Sequence, residues 1–600
     1  MTPHGPAGSL RLADAWAARW GALVLAAVAI FYYGLYFTNG LNLGGEGGTT
    51  AVLAMRLMEG ERPHLDTFLG YNVMWFWPVA WIFEITGPHY LVMRGYFFGL
   101  CTLTAILGFF CVRRVVGSGL YALAAGISLV LVPGMIFRNY MGLLPVAMGL
   151  ALVAAFVYPP ARTRNRRVLY AVAGAVLGLV FLVRIEVGYP CVVIWAVLLV
   201  VGIFAPGGTL VGRLKESALA GVLGLAGLVA IHAPFLADAH GRGYARDFYN
   251  QYQAIPGLLR WELEKAFARA VMEPAPAAIT AAAKETARET APAVAQTQPA
   301  PQAPAAGGID GRRKRPAVWE IVTGERSRDR YFAAAVYLPV LVAGGLVLGA
   351  ALAGLRGLVA RDARDWREGL AVGVLAGCAL TLFPQYFVFR PDTPHITEFM
   401  APFQVALFCA AGLAVRRAVE ARRPVPVVFA AAAGLALVVS EWVHFGHAWP
   451  KESAGTIAAR KNGPEIFEGL NGVRVRLRAD RADAYRGLQD AIAKNSRPGE
   501  KILVLPYSPT IHLMADRPAY LWDLYTDNTM AGRDFDETRI REIEKYRPPV
   551  VVIDHRDIND SEASRFPNWA PVLYAYLNEH YESAGRFLTN EVFVRRPDGG

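Results

Sequence analysis

Apolar residues come in long, nearly unbroken runs over the first 446 positions and only in short ones after that. A helix that crosses a bilayer needs about 20 mostly apolar residues. Stretches of that kind cover residues 19–38, 89–112, 118–136, 140–158, 168–186, 188–205, 217–236, 332–355, 368–388, 397–415 and 425–442. The pattern predicts a polytopic α-helical membrane domain over 1–446 with about 11 spans. One further apolar segment, Val73 to Gly87, is shorter and carries Trp75, Trp77, Pro78, Trp81 and Glu84. It reads as an interfacial or re-entrant helix, because indole rings favour the membrane interface. A short tilted span is the alternative.

Between the runs lie two large loops. The first, 39–88, contains a short amphipathic helix over Thr49–Glu59 before the Trp-rich segment. The second, 237–331, has an Ala/Pro-rich middle, 274–308, with no hydrophobic period, and that composition predicts a flexible segment. Ahead of it, Tyr244, Phe248, Tyr249, Tyr252 and Trp261 recur at near-helical spacing. They predict either an ordered cap or a helix on the lipid surface.

Residues 447–600 follow a different rhythm. Lys501–Tyr507 and Val550–Asp554 read as buried strands, and Gly585–Arg596 as a closing strand or hairpin. Ser508–Asp516, Glu537–Tyr546 and Trp569–Tyr581 read as helices. Strand–helix–strand order predicts a soluble α/β domain with a partly parallel sheet.

Charge divides the chain at the same place. Of the last 154 residues 45 are charged, against 64 of the first 446. Over the whole chain 54% of residues are hydrophobic and 18% charged, where an average soluble chain has roughly 25% charged. This excludes a soluble enzyme, a disordered chain and a disulfide scaffold. The net charge of +11 sits in short loops between apolar runs, so it marks membrane sidedness and not a nucleic-acid partner. Arg11 and Arg19, Arg113-Arg114, Arg162–Arg167, Arg213 and Lys215, Arg356–Arg367 and Arg416–Arg423 all fall on one side of an eleven-span chain. The positive-inside rule makes that side the cytoplasm. The N-terminus is then cytoplasmic and 447–600 extracytoplasmic. The first apolar run is too long for a signal peptide, and no small-x-small site follows it. The five cysteines lie in or at the ends of apolar runs, with no CxxC spacing. No internal repeat, Gly-rich phosphate loop or metal-ligand spacing is present.

Ionisable residues at membrane depth are expensive and mark functional sites by default. The outer ends collect Glu46, His64, Asp66 and Tyr71, then Arg138, Asn139 and Tyr140, then Arg184 and Glu186, then Arg390, Asp392, His395 and Glu398. Glu46 stands between two glycine pairs, which would let the backbone turn sharply and a bulky ligand come close. A carboxylate there suits a general base or a metal ligand, with a solvated loop residue as the plain alternative. Asp392 and His395 have the same alternative. Arg184 and Glu186 have a buried structural ion pair as their plain alternative, although two apart on one helix they would face different ways and need other partners. His444 and His447 read as interfacial, and His512 as a structural or surface residue.

The first loop resembles that of a known family. Glu46, then Leu57-Met58-Glu59-Gly60, then Pro63-His64-Leu65-Asp66 and the aromatic stretch Tyr71–Trp77 are similar to the first outer loop of polyprenyl-phosphate-dependent glycosyltransferases of the GT-C superfamily. That superfamily includes dolichyl-phosphate-mannose protein mannosyltransferases and bacterial lipid A aminoarabinose transferases. Val183–Gly188, Arg390–His395 and the strands around Lys501–Tyr507 and Pro548–Asp554 resemble further stretches of bacterial members. The chain departs from the pattern in two places. A lone Glu stands where Asp is usual, and Arg138-Asn139-Tyr140 stands where a second acidic residue is frequent.

The resemblance implies a membrane hexosyl- or pentosyltransferase in a bacterial inner membrane, building a cell-envelope glycan. Its donor would be a polyprenyl-phosphate-linked sugar, and its acceptor a glycan, lipid or protein hydroxyl on the outer side. It implies Glu46 as base. Arg138, Arg184, Arg390 and His395 are candidates for the donor phosphate, with Glu186, Asp392, His64, Asp66 and Tyr71 lining the substrate site. A divalent metal on Glu46, Asp392 or Glu186 is possible and not required. Membrane lipids are the remaining partners, with no nucleic acid. The rival readings are a transporter or flippase of lipid-linked sugars, and a scaffold working through residues 447–600.

Overall fold

A computed structural model describes residues 6–35, 37–44, 46–132, 136–206, 208–252, 327–383, 393–421, 465–524, 526, 534–557 and 562–597. The membrane part is built from α1 (Pro6–Gly34), α2 (Glu46–Met58), α3 (Trp77–Thr86), α4 (Tyr90–Val116), α5 (Gly119–Leu131) and α6 (Tyr140–Leu152). It continues with α7 (Thr163–Val183), α8 (Ile185–Ile203), α9 (Leu210–Gly241), α10 (Ser327–Val359), α11 (Ala363–Leu380) and α12 (Thr393–Ala421). Ten of the predicted spans become helices; the eleventh, 425–442, lies outside the described residues. Among the described helices eight are long and apolar enough to cross a membrane. The other two predicted spans are α5, with 13 residues, and α11, whose first six residues carry four charges. Helix α3 has ten residues, about 15 Å at 1.5 Å per residue, too short to cross.

In lipid, helices associate by close packing and not by expelling water. Helices α7 and α9 meet at small residues. A Cβ on Gly174 would collide with the Gly224 carbonyl, and one on Gly227 with that of Ala171. At one end of the bundle, side chains tie the helices together. Asp14 accepts from Ser118 at 2.6 Å, Arg166 pairs with Glu216 at 2.8 Å, and Arg364 with Glu420 at 2.6 Å. Glu368, nearly buried, receives Arg364, Arg416 and Arg417. The helices alternate in direction, so every described arginine cluster stands at this end.

The C-terminal domain packs on the opposite end. It holds a hairpin of β1 (Glu465–Glu468) and β2 (Arg474–Leu477), helix α13 (Ala479–Asn495), β3 (Leu503–Leu505), α14 (Thr510–Ala515) and α15 (Phe535–Tyr546). It closes with β4 (Val550–Asp554), the short α16 (Phe566–Trp569), α17 (Pro571–His580), β5 (Tyr581–Phe587) and β6 (Asn590–Arg595). The sheet order is β3-β4-β6-β5, with β3 and β4 parallel and the rest antiparallel. Backbone bonds join it to the membrane part. Arg476 donates to Thr38 at 2.6 Å, Phe68 to Trp522 at 2.7 Å, and Tyr90 to Asn471 at 2.9 Å. Residues 421 and 465 therefore lie at opposite ends of the bundle.

Three local expectations change. Helix α2 is buried almost throughout, pressed between α3 and α14 instead of lying amphipathic at a surface. Trp75 is fully buried, and only Trp81 of the three indoles is well exposed. The β1–β2 hairpin and α13 had no forecast, since four-residue strands with charged outer faces leave little apolar signal. All five cysteines are free and buried. His512 is a buried structural residue whose Nδ1 lies 3.0 Å from the Arg517 carbonyl, and burial pushes its pKa down to about 4. His444 and His447 lie outside the described residues.

Candidate functional site

The loop after α1 is fixed first. Arg94, buried near the start of α4, donates to the carbonyls of Phe37 (3.0 Å), Asn39 (3.1 Å) and Gly40 (2.8 Å). Three carbonyls on one guanidinium hold the chain where it leaves the bundle. Gly40 takes a left-handed φ of 70°. Gly44, Gly47 and Gly48 do not, and their requirement is room. A Cβ on Gly47 would stand 2.7 Å from the Phe137 ring, one on Gly44 would meet Tyr507 and Arg556, and one on Gly48 would meet Thr510. Gly44 and Gly48 thus admit the C-terminal domain and Gly47 the turn before α6, where close approach of a ligand was expected. Glu46 opens α2; its side chain lies outside the described residues.

Further along the loop, Asn72 fastens the aromatic segment to the end of α7. Its amide donates to the Phe181 carbonyl at 2.9 Å, and its Oδ1 caps Val73 N–H at 2.8 Å. That places Tyr71 beside Arg184. Arg184 is not helical: it is the single extended residue, φ −145° and ψ 100°, between α7 and α8. Gly188 makes this reversal fit, since a Cβ there would stand 2.6 Å from the Phe181 ring. Because the backbone breaks at Arg184, its guanidinium reaches Glu186 directly and the two form an ion pair. The structural ion pair is thus the reading that the fold realises, and the expectation that the two face apart, which assumed one continuous helix, is corrected by this break.

Four stretches of chain converge on Tyr71. Its ring stacks on Trp75 with centroids 3.9 Å apart, and Trp75 lies 5.2 Å from Tyr140. The Arg184 guanidinium lies 4.6 Å from the Tyr71 centroid, and that of Arg138 5.7 Å. Arg138, in the turn before α6, pairs with Glu398 of α12 at 2.7 Å, and both side chains are buried. Asn139 beside it donates to Thr104 at 2.8 Å. In the Arg184–Glu186 pair the guanidinium is buried at 6% and only Glu186 is partly exposed, at 24%. The four charged groups sum to zero. An anion entering here competes with Glu186 for Arg184, while the Arg138–Glu398 pair stays closed.

The other predicted residues fall differently. Asp66 is held by Arg62 through 2.8 Å bonds, and that guanidinium keeps its carboxyl below the usual range. His64 occupies a left-handed turn (φ 64°), and burial pushes its pKa down to about 4, so the ring is neutral. The contacts described for both lie within the loop and beside Asn72, and none of them is made with Arg138 or Arg184. Arg390 and Asp392 lie outside the described residues, as does the side chain of His395, whose backbone belongs to the first turn of α12. Among the described residues no three His, Cys, Asp or Glu side chains gather as a metal site.

Trp75, Arg94, Glu398 and Arg556 were not assigned roles from sequence. Glu398 was visible as an acid at an outer helix end. Trp75 was visible as an indole of the aromatic stretch, whereas Arg94, inside an apolar run, and Arg556, after a strand in another domain, carried no signal.

Fold and site together define a polytopic helical membrane protein with an α/β domain on the end that carries its charged, aromatic cluster. Two solved structures are similar to it. One is the Archaeoglobus fulgidus oligosaccharyltransferase in the apo form, at 12% identity and TM-score 0.46, covering 96% of this chain and 74% of that one. The other is ArnT from Cupriavidus metallidurans bound to undecaprenyl phosphate, at 15% identity and TM-score 0.41, covering 96% and 98%. At these identities and scores, neither assigns a residue role here. No family model and no curated protein matches the chain.

Proposed function

We propose that the protein transfers a sugar from a polyprenyl-phosphate donor to an acceptor hydroxyl on the outer side of the membrane. The observation that supports this is the pairing of Arg184 and its partly exposed partner Glu186 with the Tyr71–Trp75 stack, at the bundle end where α2 begins with Glu46. A lipid donor keeps its tail in the bilayer and brings its phosphate to that end. The acceptor oxygen attacks the anomeric carbon, the bond from that carbon to the phosphate oxygen breaks, and polyprenyl phosphate leaves. Glu46 takes the acceptor proton. Arg184, freed from Glu186, takes the charge growing on the phosphate, where a planar guanidinium can bond two oxygens. Arg138, locked to Glu398, holds the far side of Tyr71. Arg390 and His395 are further phosphate candidates. The step balances without a metal, and a divalent ion on Glu46, Glu186 or Asp392 is compatible with it.

The test uses purified protein in liposomes with undecaprenyl-phosphate glucose, mannose and arabinose, supplied with a cell-envelope extract of glycan, lipid and protein hydroxyls as acceptor, reading the release of undecaprenyl phosphate together with sugar transfer to the extract. At least one donor is expected to turn over. Glu46→Gln is expected to slow it by about 10²–10⁴-fold with donor binding and melting temperature retained. Near-normal turnover in that variant removes Glu46 as base. No turnover of any donor by the wild type overturns the reading.

A further inference from the structure

The parallel strands β3 and β4 end side by side, and their ends press on the loop that leads into α2. Open α/β sheets place working residues at the carboxyl ends of parallel strands. Here those ends carry Tyr507 and Ser508 after β3, and Asp554 and Arg556 at and after β4. Asp554 is buried, and Ser508 donates to its Oδ2 at 2.6 Å. Arg556 donates through Nε to the same oxygen at 2.7 Å, and through Nη2 to the Tyr507 carbonyl and the Ser508 hydroxyl at 3.2 Å. These bonds hold a surface arginine in one orientation.

That orientation faces the glycine loop. A Cβ on Gly44 would come within 2.5 Å of Arg556 Nη2. Thr510, opening α14, donates its N–H to the Leu43 carbonyl at 3.1 Å and its hydroxyl to the Asn42 carbonyl at 2.8 Å. Asn42 in turn accepts from Gly44 N–H at 3.1 Å. Asn42, Leu43, Gly44 and Gly48 are therefore all set by the C-terminal domain, on both sides of Glu46. Room for this contact exists because the residues are glycines.

We propose that the C-terminal domain is part of the catalytic apparatus, with Arg556 as a positioning residue that sets the loop carrying Glu46. The domain does not merely cap the bundle. This rests on the glycosyl-transfer reading, in which Glu46 is the base. A base displaced by about 1 Å costs on the order of 10²-fold in rate. Gly44 faces both the Tyr507 carbonyl, with which a Cβ there would collide, and the Arg556 guanidinium that bonds to that carbonyl, so changing either residue disturbs the same seam.

The experiment uses the full chain in detergent and in liposomes, with Arg556→Ala, Asp554→Asn, Gly44→Ala and the Arg556→Ala/Gly44→Ala double variant. Hydrogen exchange over residues 42–48 is read first, because it needs no substrate. Loss of protection there, with the rest of the sheet unchanged, is expected in all of them. Turnover of undecaprenyl-phosphate sugar is read second. In each variant kcat is expected to fall by about 10²-fold with donor KM within about twofold, and the double variant is expected to be no slower than the worse single one. Unchanged exchange over 42–48, or normal kcat in well-folded Arg556→Ala, overturns the proposal. If Arg556→Ala does not fold, Gly44→Ala decides, since it leaves the Asp554–Arg556 pair in place. A wild type that consumes no donor overturns the glycosyl-transfer reading instead, while the exchange data still decide whether the domain holds the loop.

Discussion

Arg138 and Arg184 share one aromatic ring and differ in what surrounds them. Arg138 and Glu398 are both buried, so removing either leaves a bare charge in a low-dielectric interior. That costs about 3–5 kcal/mol, whereas replacing both with apolar groups of similar volume is often neutral or better. Arg138→Ala and Glu398→Ala are each expected to lower the melting temperature sharply, and Arg138→Met with Glu398→Leu to regain most of it. In the other pair Arg184 is buried at 6% and only Glu186 is partly exposed, at 24%, so water can solvate the carboxylate that a lost Arg184 leaves behind. Arg184→Ala should lower the melting temperature less than Arg138→Ala and lose affinity for undecaprenyl phosphate about tenfold or more. Arg184→Lys should recover little of it, since an ammonium lacks the planar fork. Unchanged binding in both Arg184 variants moves the phosphate site to residues around Arg390. Stability losses that simply add in the Arg138/Glu398 double variant would remove the coupling.

Among the elements, those that follow one long period were legible in the sequence. Ten apolar runs become helices, and the strands at Lys501–Tyr507 and Val550–Asp554 become a parallel pair. What stayed hidden depends on contacts between distant segments. The break at Arg184 is a single extended residue, and hydropathy averages over such a residue. The burial of α2 requires the C-terminal domain on top of it. The Gly44–Gly48 run could be read as special, but its reason, room for Tyr507, Arg556 and Thr510, is three hundred residues or more away in sequence. Helix packing yields a sharper expectation at this scale. Gly174 faces the Gly224 backbone of α9, with no space for a side chain. Overpacking a tight site costs typically 1–3 kcal/mol and more where backbone is met. Gly174→Leu should therefore separate α7 from α9, disturb Arg184 at the end of α7, and reduce the folded yield. Gly344→Leu in α10, where a Cβ meets nothing, serves as the control and should fold normally. Equal yields from the two would mean that α7 and α9 do not depend on that contact.

At the scale of the whole molecule, the two ends of the bundle carry different chemistry. One end holds the arginine clusters and the Glu368 network, and the other holds the first loop, the Tyr71 cluster and the C-terminal domain. The positive-inside rule predicts that the basic end is the cytoplasmic one, and the proposed transfer then requires the cluster and the domain to be on the other side. All five native cysteines are buried, so single introduced cysteines can be labelled over a quiet background. Leu65→Cys lies in the first loop, Glu582→Cys in β5 and Arg361→Cys between α10 and α11, each at a position exposed in the fold. In spheroplasts treated with a membrane-impermeant maleimide, Leu65→Cys and Glu582→Cys should label at once and Arg361→Cys only after lysis. The reverse pattern would invert the protein and move the transfer reaction to the cytoplasmic face. Labelling of Leu65→Cys without Glu582→Cys would put the C-terminal domain on the other side from the loop, and with it Arg556 out of reach of Gly44.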